Sequence, residues 1–268
     1  MQKVTENVYV EIEFPGCNSS FVVTSGGTVI IDTPVVPSDA KKWREEAGKH
    51  GEIRYVIVNE PHNDHIAGSC WLGGTLVAHQ GTREAIKTYP KEALEGVIKF
   101  MGPEGTILDE GLQYRLPDIT FSQEMTLYLG DHTFRIIPVP GHTASQTAVF
   151  VPEERVIFTS DNITMGMPVM IDAVPELWLE SIKKLQTLDF DKIVPGHGDV
   201  CDKTALDVTY DNVEYIIKEV KAAIAKGWSL QEVQEKVTLD DRFPASPDDP
   251  MKKMRHDSLA GLYRTLTK

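Results

Sequence analysis

Apolar positions fall into short, strand-length runs over the first two thirds of the chain and into longer helical periods over the last third. Residues 8–14 and 20–24 read as strands, and Gly26-Gly27 as the turn before Val29-Ile30-Ile31, an N-terminal antiparallel meander. Asp32 closes that sheet segment and Pro34 leads the chain away from it. Ser38 is the expected cap of a helix to about Gly48, with Trp43 and Ala47 facing inward. Residues 53–58 form a continuous apolar strand, 66–69 begin a short helix, 75–78 make another strand, and 81–100 carry a helical pattern.

Residues 101–120 break the rhythm, with Gly102, Pro103, Gly105, Gly111 and Pro117 and little periodicity. Strands resume directly afterwards, so this is an excursion within one fold, either a lid or a surface insertion. A hairpin follows over 125–129 and 133–139 with Gly130-Asp131 at its turn, and a second over 147–151 and 155–159. Pro175 opens a helix with Trp178, Ile182, Leu185 and Leu188 on one face. Residues 192–194 are a short strand, and Val213, Ile216, Ile217, Val220 and Ile224 mark an amphipathic helix. Ser229-Leu230-Gln231-Glu232 has the form of a capping box. The expectation is an α/β fold in one domain over 1–268, with a helical and loop insertion around 81–120 and a helical tail over 203–268.

Composition narrows the partners more than the fold. A net charge of −13 among 268 residues argues against a nucleic-acid surface, which clusters Lys and Arg. No apolar run is long enough to span a bilayer, and the N-terminal residues lack a signal-type apolar segment. Three widely spaced cysteines, Cys17, Cys70 and Cys201, suit a reducing compartment. The expected location is therefore cytoplasmic. The expected partner is a small-molecule substrate, not nucleic acid or membrane, and a homodimer is left open.

The chemistry sits where strands end. Asn59-Glu60-Pro61-His62-Asn63-Asp64-His65 follows the strand at 53–58 and offers imidazole and carboxylate ligands within a few residues. In extended chain Glu60 and His62 converge while the adjacent Asp64 and His65 diverge, a pattern that suits two metals better than one. His142, Asp161 and His197 each follow another strand, and loops leaving one sheet edge gather binding residues. The glycines beside His142 and His197, namely Gly141, Gly196 and Gly198, are expected to give the tight turns that let these histidines reach inward. His50, His79, His132 and His256 lack such placement and read as surface or core residues.

These motifs resemble the metallo-β-lactamase superfamily over nearly the whole chain. The signature His-x-His-x-Asp-His corresponds to Glu60 through His65; the later motifs correspond to Gly141-His142-Thr143, Ser160-Asp161 and Gly196-His197-Gly198. Residues 18–32, ending in Val-Ile-Ile-Asp, are similar to the family's opening strands, and 81–161 resembles its quinoprotein-relay-associated or cyclase-like zinc hydrolases. The resemblance implies a four-layer αβ/βα sandwich with metals at the edge between two sheets. It implies one metal on Glu60, His62 and His142, a second on Asp64, His65 and His197, and Asp161 bridging both. Glu60 departs from the usual His; its harder, negative oxygen admits iron or manganese, with zinc expected first.

The implied activity is hydrolysis of a lactone, ester or β-lactam by hydroxide from a water on two divalent ions, with Asp64 doubling as a weak proton acceptor. The alternatives are an iron-dependent sulfur-dioxygenase type of oxidoreductase, a glyoxalase II-like thioesterase, and a binding scaffold with a degenerate site. Thr143 and Ser69 are candidates to orient the histidines. Met165, Met167 and Met170 are candidates for an apolar substrate wall, and Trp71 for pocket lining or packing. Trp43, Trp178 and Trp228 read as core, and Lys252, Lys253 and Arg255 as a solvated face.

Overall fold

The computed structural model describes residues 1–108, 110–164, 166–244 and 252–268. Its frame is two facing sheets. The first runs β1 (Gln2–Lys3), β2 (Val8–Glu11), β3 (Ser19–Thr24), β4 (Gly27–Ile31), β5 (Ile53–Val58), β6 (Thr75–His79) and β7 (Ile119–Phe121), side by side in chain order. Its first four strands are antiparallel; β4 through β7 are parallel, because α1 (Pro37–Gly48) and the later helices carry the chain back between them. The second sheet is ordered β12 (Lys192–Pro195), β11 (Val156–Ser160), β10 (Thr147–Val151), β9 (His132–Pro138) and β8 (Met125–Leu129). Only the β11–β12 pairing in it is parallel.

Both faces of each sheet are covered, which explains why the central strands read as unbroken apolar runs rather than alternations. Val29, Ile31 and Ile57 point between the sheets against Phe134, Ile136, Val149 and Phe158. Their neighbours Ile30, Val56 and Val58 point outward against Trp43 and Leu72. On the far side Ile137, Ala148 and Ile157 pack against Trp178 and Ile182 of α6 (Pro175–Gln186) and Val213 and Ile216 of α7 (Thr204–Ala225). The layers are thus helix, sheet, sheet and helix, the four-layer αβ/βα sandwich.

Several local expectations shift. The first helix starts at Pro37 with Val36 as its cap, so Ser38 lies inside it. Proline at the first position needs no N–H there, which fixes that start. The helical stretch 81–100 is two helices, α4 (Gln80–Ile86) and α5 (Lys91–Met101), parted at Pro90. Between them and β5 lie the short α2 (Asn63–Ile66) and α3 (Ser69–Leu72). The helix after Pro175 stops at Gln186, short of Leu188. Ser229 and Glu232 do form a capping box on α8 (Leu230–Lys236).

The excursion after α5 is fastened at its C-terminal end. Arg115 donates to the Gly73 carbonyl at 2.9 Å and to Asp118 Oδ2 at 2.8 Å, and Tyr114 donates to Asn63 Oδ1 at 2.8 Å. Phe100 and Ile107 remain exposed. Arg255, expected on a solvated face, is instead buried on α9 (Lys252–Leu266); its guanidinium donates to Asp240 Oδ1 at 3.0 Å and to the carbonyls of Thr238 and Phe243. Lys252 and Lys253 are exposed as expected. The loop packing around 238–243 supplies acceptors that a charge run in sequence does not reveal.

At the end of the sandwich carrying the β8–β9 turn, His132 ties three segments together. One ring nitrogen lies 2.8 Å from Asp131 Oδ1 and the other 2.9 Å from Glu154 Oε1, while Thr5 and Asn7 also donate to Glu154. Burial disfavours the imidazolium, but its bonds to Glu154 and Asp131 outweigh that and raise the pKa, and Glu154 is lowered despite its burial. A histidine raised on folding stabilises fully below about pH 6.5 and loses that contribution as pH rises through the folded value. A carboxylate lowered on folding stabilises above about pH 4.3 and loses its contribution as pH falls. The thermal-midpoint difference between wild type and His132→Gln should be widest between those limits and narrow at higher pH. A difference constant with pH would show that the clasp is not ionic.

Candidate metal centre

Five strand ends from both sheets meet at one edge of the sandwich. β4 delivers Asp32, β5 leads to Glu60 and His62, and α2 carries Asp64 and His65. From the second sheet, β9 leads to His142, β11 to Asp161 and β12 to His197. All seven residues singled out from the sequence converge there; His50, His79, His132 and His256 do not join them. Ligand atoms of Glu60, His62 and His142 lie within 4.8 Å of one another, and so do those of Asp64, His65 and His197. Asp161 groups with Glu60 and His65, one residue from each triad.

The distances show how Asp161 spans the two. Its Oδ1 is 3.3 Å from His65 Nε2 and 3.4 Å from His197 Nε2, while its Oδ2 is 3.6 Å from His142 Nε2. His62 Nδ1 faces Glu60 Oε2 at 2.7 Å and His142 Nε2 at 3.0 Å. Asp64 Oδ2 lies 3.3 Å from His197 Nε2 and 3.7 Å from His65 Nε2. Asp64 and His65 therefore converge, against the divergence expected of extended neighbours, because they occupy a helical turn.

Three of the four imidazoles are gripped from behind. His142 Nδ1 is 2.9 Å from the Val169 carbonyl, and His62 Nε2 is 3.3 Å from Asp172 Oδ2. His65 Nδ1 faces Ser160 Oγ at 3.0 Å and Asp32 Oδ2 at 3.3 Å. These partners, not Thr143 or Ser69, orient the rings; the Thr143 hydroxyl is buried without a hydrogen-bond partner. Among its described residues the 163–173 loop contributes the Val169 carbonyl and Asp172 to these rings. Met170 is fully buried in the helical-side core, with its N–H on Ser258 Oγ, and Met167 packs against the same core. Met165 lies outside the described residues. Trp178 is core, as expected, yet stands edge-on to His142 at 5.7 Å; Trp71 packs between two apolar clusters beside α3.

Of the glycines beside these histidines, Gly198 has the left-handed φ of a turn, +84°, while Gly141 and Gly196 serve close approach. A Cβ on Gly196 would sit 1.7 Å from Asp161 Oδ1, and one on Gly141 would sit 2.5 Å from Asn162 Oδ1 and 2.7 Å from the Trp178 ring. Asn162 in turn accepts the His142 N–H, and the Asn18 amide holds the His197 loop through the carbonyls of Pro195 and Gly198.

Electrostatically the cluster keeps Glu60, Asp64 and Asp161 ionised and His62, His65 and His197 charged. Burial works against both, but is outweighed. Asp64 is lowered to about 2 by His65 and His197, and Asp161 is held well below the usual range by the same two rings. His62 is pushed up to about 10 by Glu60 and Asp172, and His197 to about 11 by Asp161 and Asp64. Neutral imidazole is the ligand form, so these protons occupy the place a cation would take. Glu60 Oε2, His65 Nε2 and Asp161 Oδ1 are buried with no hydrogen-bond partner, a costly arrangement unless something else pairs them. Mixed carboxylate and imidazole donors aimed into one space fit divalent ions.

The family model for the metallo-beta-lactamase superfamily matches residues 12–197. Among curated relatives, a beta-lactamase-like protein 2 homolog of Caenorhabditis elegans is 23% identical over 88% of this chain and 72% of its own. A metallo-beta-lactamase type 2 of Pseudomonas aeruginosa is 26% identical over 82% of this chain and 87% of its own. Among solved structures, a metallo-beta-lactamase from Pontibacter korlensis superposes with a TM-score of 0.61 at 19% identity, covering 80% of this chain and 97% of that one. The chain belongs to the metallo-beta-lactamase superfamily, whose members are hydrolytic metalloenzymes.

Proposed function

We propose that the chain is a dinuclear metal-dependent hydrolase of a small carboxyl derivative: a lactone, an ester or a β-lactam. The observation that carries this reading is that Glu60 Oε2, His65 Nε2 and Asp161 Oδ1 are buried without a hydrogen bond and face other members of the same cluster of seven. Glu60, His62 and His142 would hold one divalent ion, Asp64, His65 and His197 the other, with Asp161 shared. Bound there, the ions would supply Lewis acidity toward the scissile carbonyl and bring an attacking water's pKa toward neutrality.

The protein's own groups do the remaining work. Val169, Asp172, Asp32 and Ser160 fix the imidazole orientations, so ligand geometry is set before substrate arrives. Asp64 keeps a partly accessible edge and is the carboxylate placed to accept a proton from the attacking water; with its pKa near 2 it is a weak base and holds that proton transiently. Among the described residues no lysine or arginine pairs with any of the seven. That counts against the anionic acyl carrier of a glyoxalase II-like thioesterase.

Metal analysis of protein purified without added metal, followed by a panel of lactone, ester, β-lactam and glutathione-thioester substrates, tests the reading. Two zinc ions per chain are expected, falling to about one in Glu60→Ala. Iron with thiol-dependent oxygen consumption would replace it with the sulfur-dioxygenase reading. Turnover of the thioester alone would replace it with the thioesterase, and metal-free protein would remove it altogether.

A further inference from the structure

Glu60 stands where the family signature has an imidazole, and a carboxylate is the less directional of the two. It has two equivalent oxygens and can twist, so a one-oxygen ligand needs its other oxygen tied down. The structure provides that tie from an unexpected direction. Ser160, the last residue of β11, has φ +48°, the left-handed region that a serine enters only under constraint, and the register with β12 shifts beside it. This turns the Ser160 hydroxyl out of the strand and into the cluster, where it is 2% exposed.

There it meets three groups: Asp32 Oδ2 at 2.9 Å, His65 Nδ1 at 3.0 Å and Glu60 Oε1 at 3.2 Å. A hydroxyl has one proton to give and two lone pairs. Both carboxylates can only accept, so the proton goes to one of them. Asp32 has donors enough without it: the Asn59 N–H reaches its Oδ1 at 2.8 Å, and His65 Nδ1 lies 3.3 Å from its Oδ2. Glu60 Oε1 has otherwise only the Asp161 N–H at 3.4 Å, a long bond, and His65 Nε2 at 3.6 Å, beyond hydrogen-bond reach. The proton is worth most on Glu60. With Oε1 held by Ser160, Oε2 is the oxygen left without a hydrogen bond, 2.7 Å from His62 Nδ1 and 3.5 Å from His142 Nε2.

We propose that Ser160 is a positioning residue for Glu60: its hydroxyl donates to Oε1, fixes the carboxylate plane and presents Oε2 as a single-oxygen ligand of the first metal site. The proposal rests on the dinuclear reading above. It assigns to a residue outside the ligand set the task of making a carboxylate serve at a histidine position.

The test is the affinity of each site for Zn2+, by competition with a chromophoric chelator, in wild type, Ser160→Ala, Ser160→Gly, Glu60→Ala and the double variant Glu60→Ala/Ser160→Gly. The affinity that disappears in Glu60→Ala defines the first site. Ser160→Ala keeps the Cβ and the left-handed strain that the serine already bears, so its effect reports the lost hydroxyl, and Ser160→Gly, which relieves that strain, separates the two. The first-site affinity is expected to fall about 10–100-fold in both, the range for a lost partner behind a metal ligand. The second site should lose less affinity than the first, since Asp32 still faces His65 Nδ1 at 3.3 Å when the hydroxyl is gone, and removing the hydroxyl should cost the Glu60→Ala variant no more than that smaller loss, since no carboxylate remains to be held. The visible spectrum of the Co2+-substituted protein should change in the first-site bands in both single serine variants. If Ser160→Ala weakens the second site as much as the first or more, Ser160 acts through His65 and the proposal is wrong; if it weakens neither, the hydroxyl does not position Glu60. Wild type that binds fewer than two ions overturns the underlying dinuclear reading, a result separate from either.

Discussion

Asp161→Ala should lower hydrolytic kcat/KM by about 10³-fold or more while leaving the chain folded. Asp161 places its two oxygens toward both triads, with Oδ1 toward His65 and His197 and Oδ2 toward His142. Removing it would unbalance both positions at once. Several kcal/mol of transition-state stabilisation are at stake in such a centre, and each 1.36 kcal/mol is about a factor of ten. Steady-state kinetics beside metal analysis and circular dichroism decides the matter. Activity within tenfold of wild type, with two metals retained, would show that Asp161 is not the shared ligand.

Gly196→Ala should damage both the fold and the site. The added carbon would meet Asp161 Oδ1 at 1.7 Å, the Ser160 carbonyl carbon at 2.7 Å and the Asp161 nitrogen at 2.8 Å, so a flexible side chain cannot simply swing away. The backbone there has little room to retreat, because the Gly196 N–H donates to the Ser160 carbonyl at 2.8 Å and its own carbonyl accepts from Asn18 at 2.7 Å. Overpacking of this kind costs about 3 kcal/mol, a drop in thermal midpoint of roughly 6–12 °C for a chain of this size, and displacement of Asp161 should take catalysis with it. Gly96→Ala is the control: nothing lies within 4 Å of its Cβ position, it sits in α5, and the midpoint should hold or rise. Equal midpoints for wild type and Gly196→Ala would mean that the β11 and β12 ends part easily.

Much of this centre was legible because strand ends are legible. The apolar run at 53–58 coincides with β5, and the polar residues just beyond it and beyond β9, β11 and β12 are the ones the fold gathers. What escaped was everything carried by the backbone or by distant loops. The Val169 carbonyl has no side-chain signature, and Asp172 looks like any loop acid until the loop folds back on His62. Asp32 and Ser160 were within reach of the same logic, since each is a polar residue closing an apolar strand. Their left-handed conformations, φ +53° and +48°, are tertiary consequences and left no mark on the pattern. Met170 misled for the converse reason: an apolar loop residue near a site faces whichever side offers a core, and here that side is α7 and α9.

The proposed ligand set is divided between the two sheets, with Glu60, His62, Asp64 and His65 following one and His142, Asp161 and His197 following the other. Neither half makes a usable centre by itself; the spacing between them is set by the side chains that keep the sheets apart, Ile31, Ile57, Phe134, Val149 and Phe158. A misplacement of about 1 Å at a reacting centre can cost about 10²-fold in rate. Trimming one of those buried residues would let the sheets settle closer and detune the chemistry before it unfolded the protein. The inter-sheet packing works as a calibrated spacer, and selection on catalysis would reach residues that never come near a substrate.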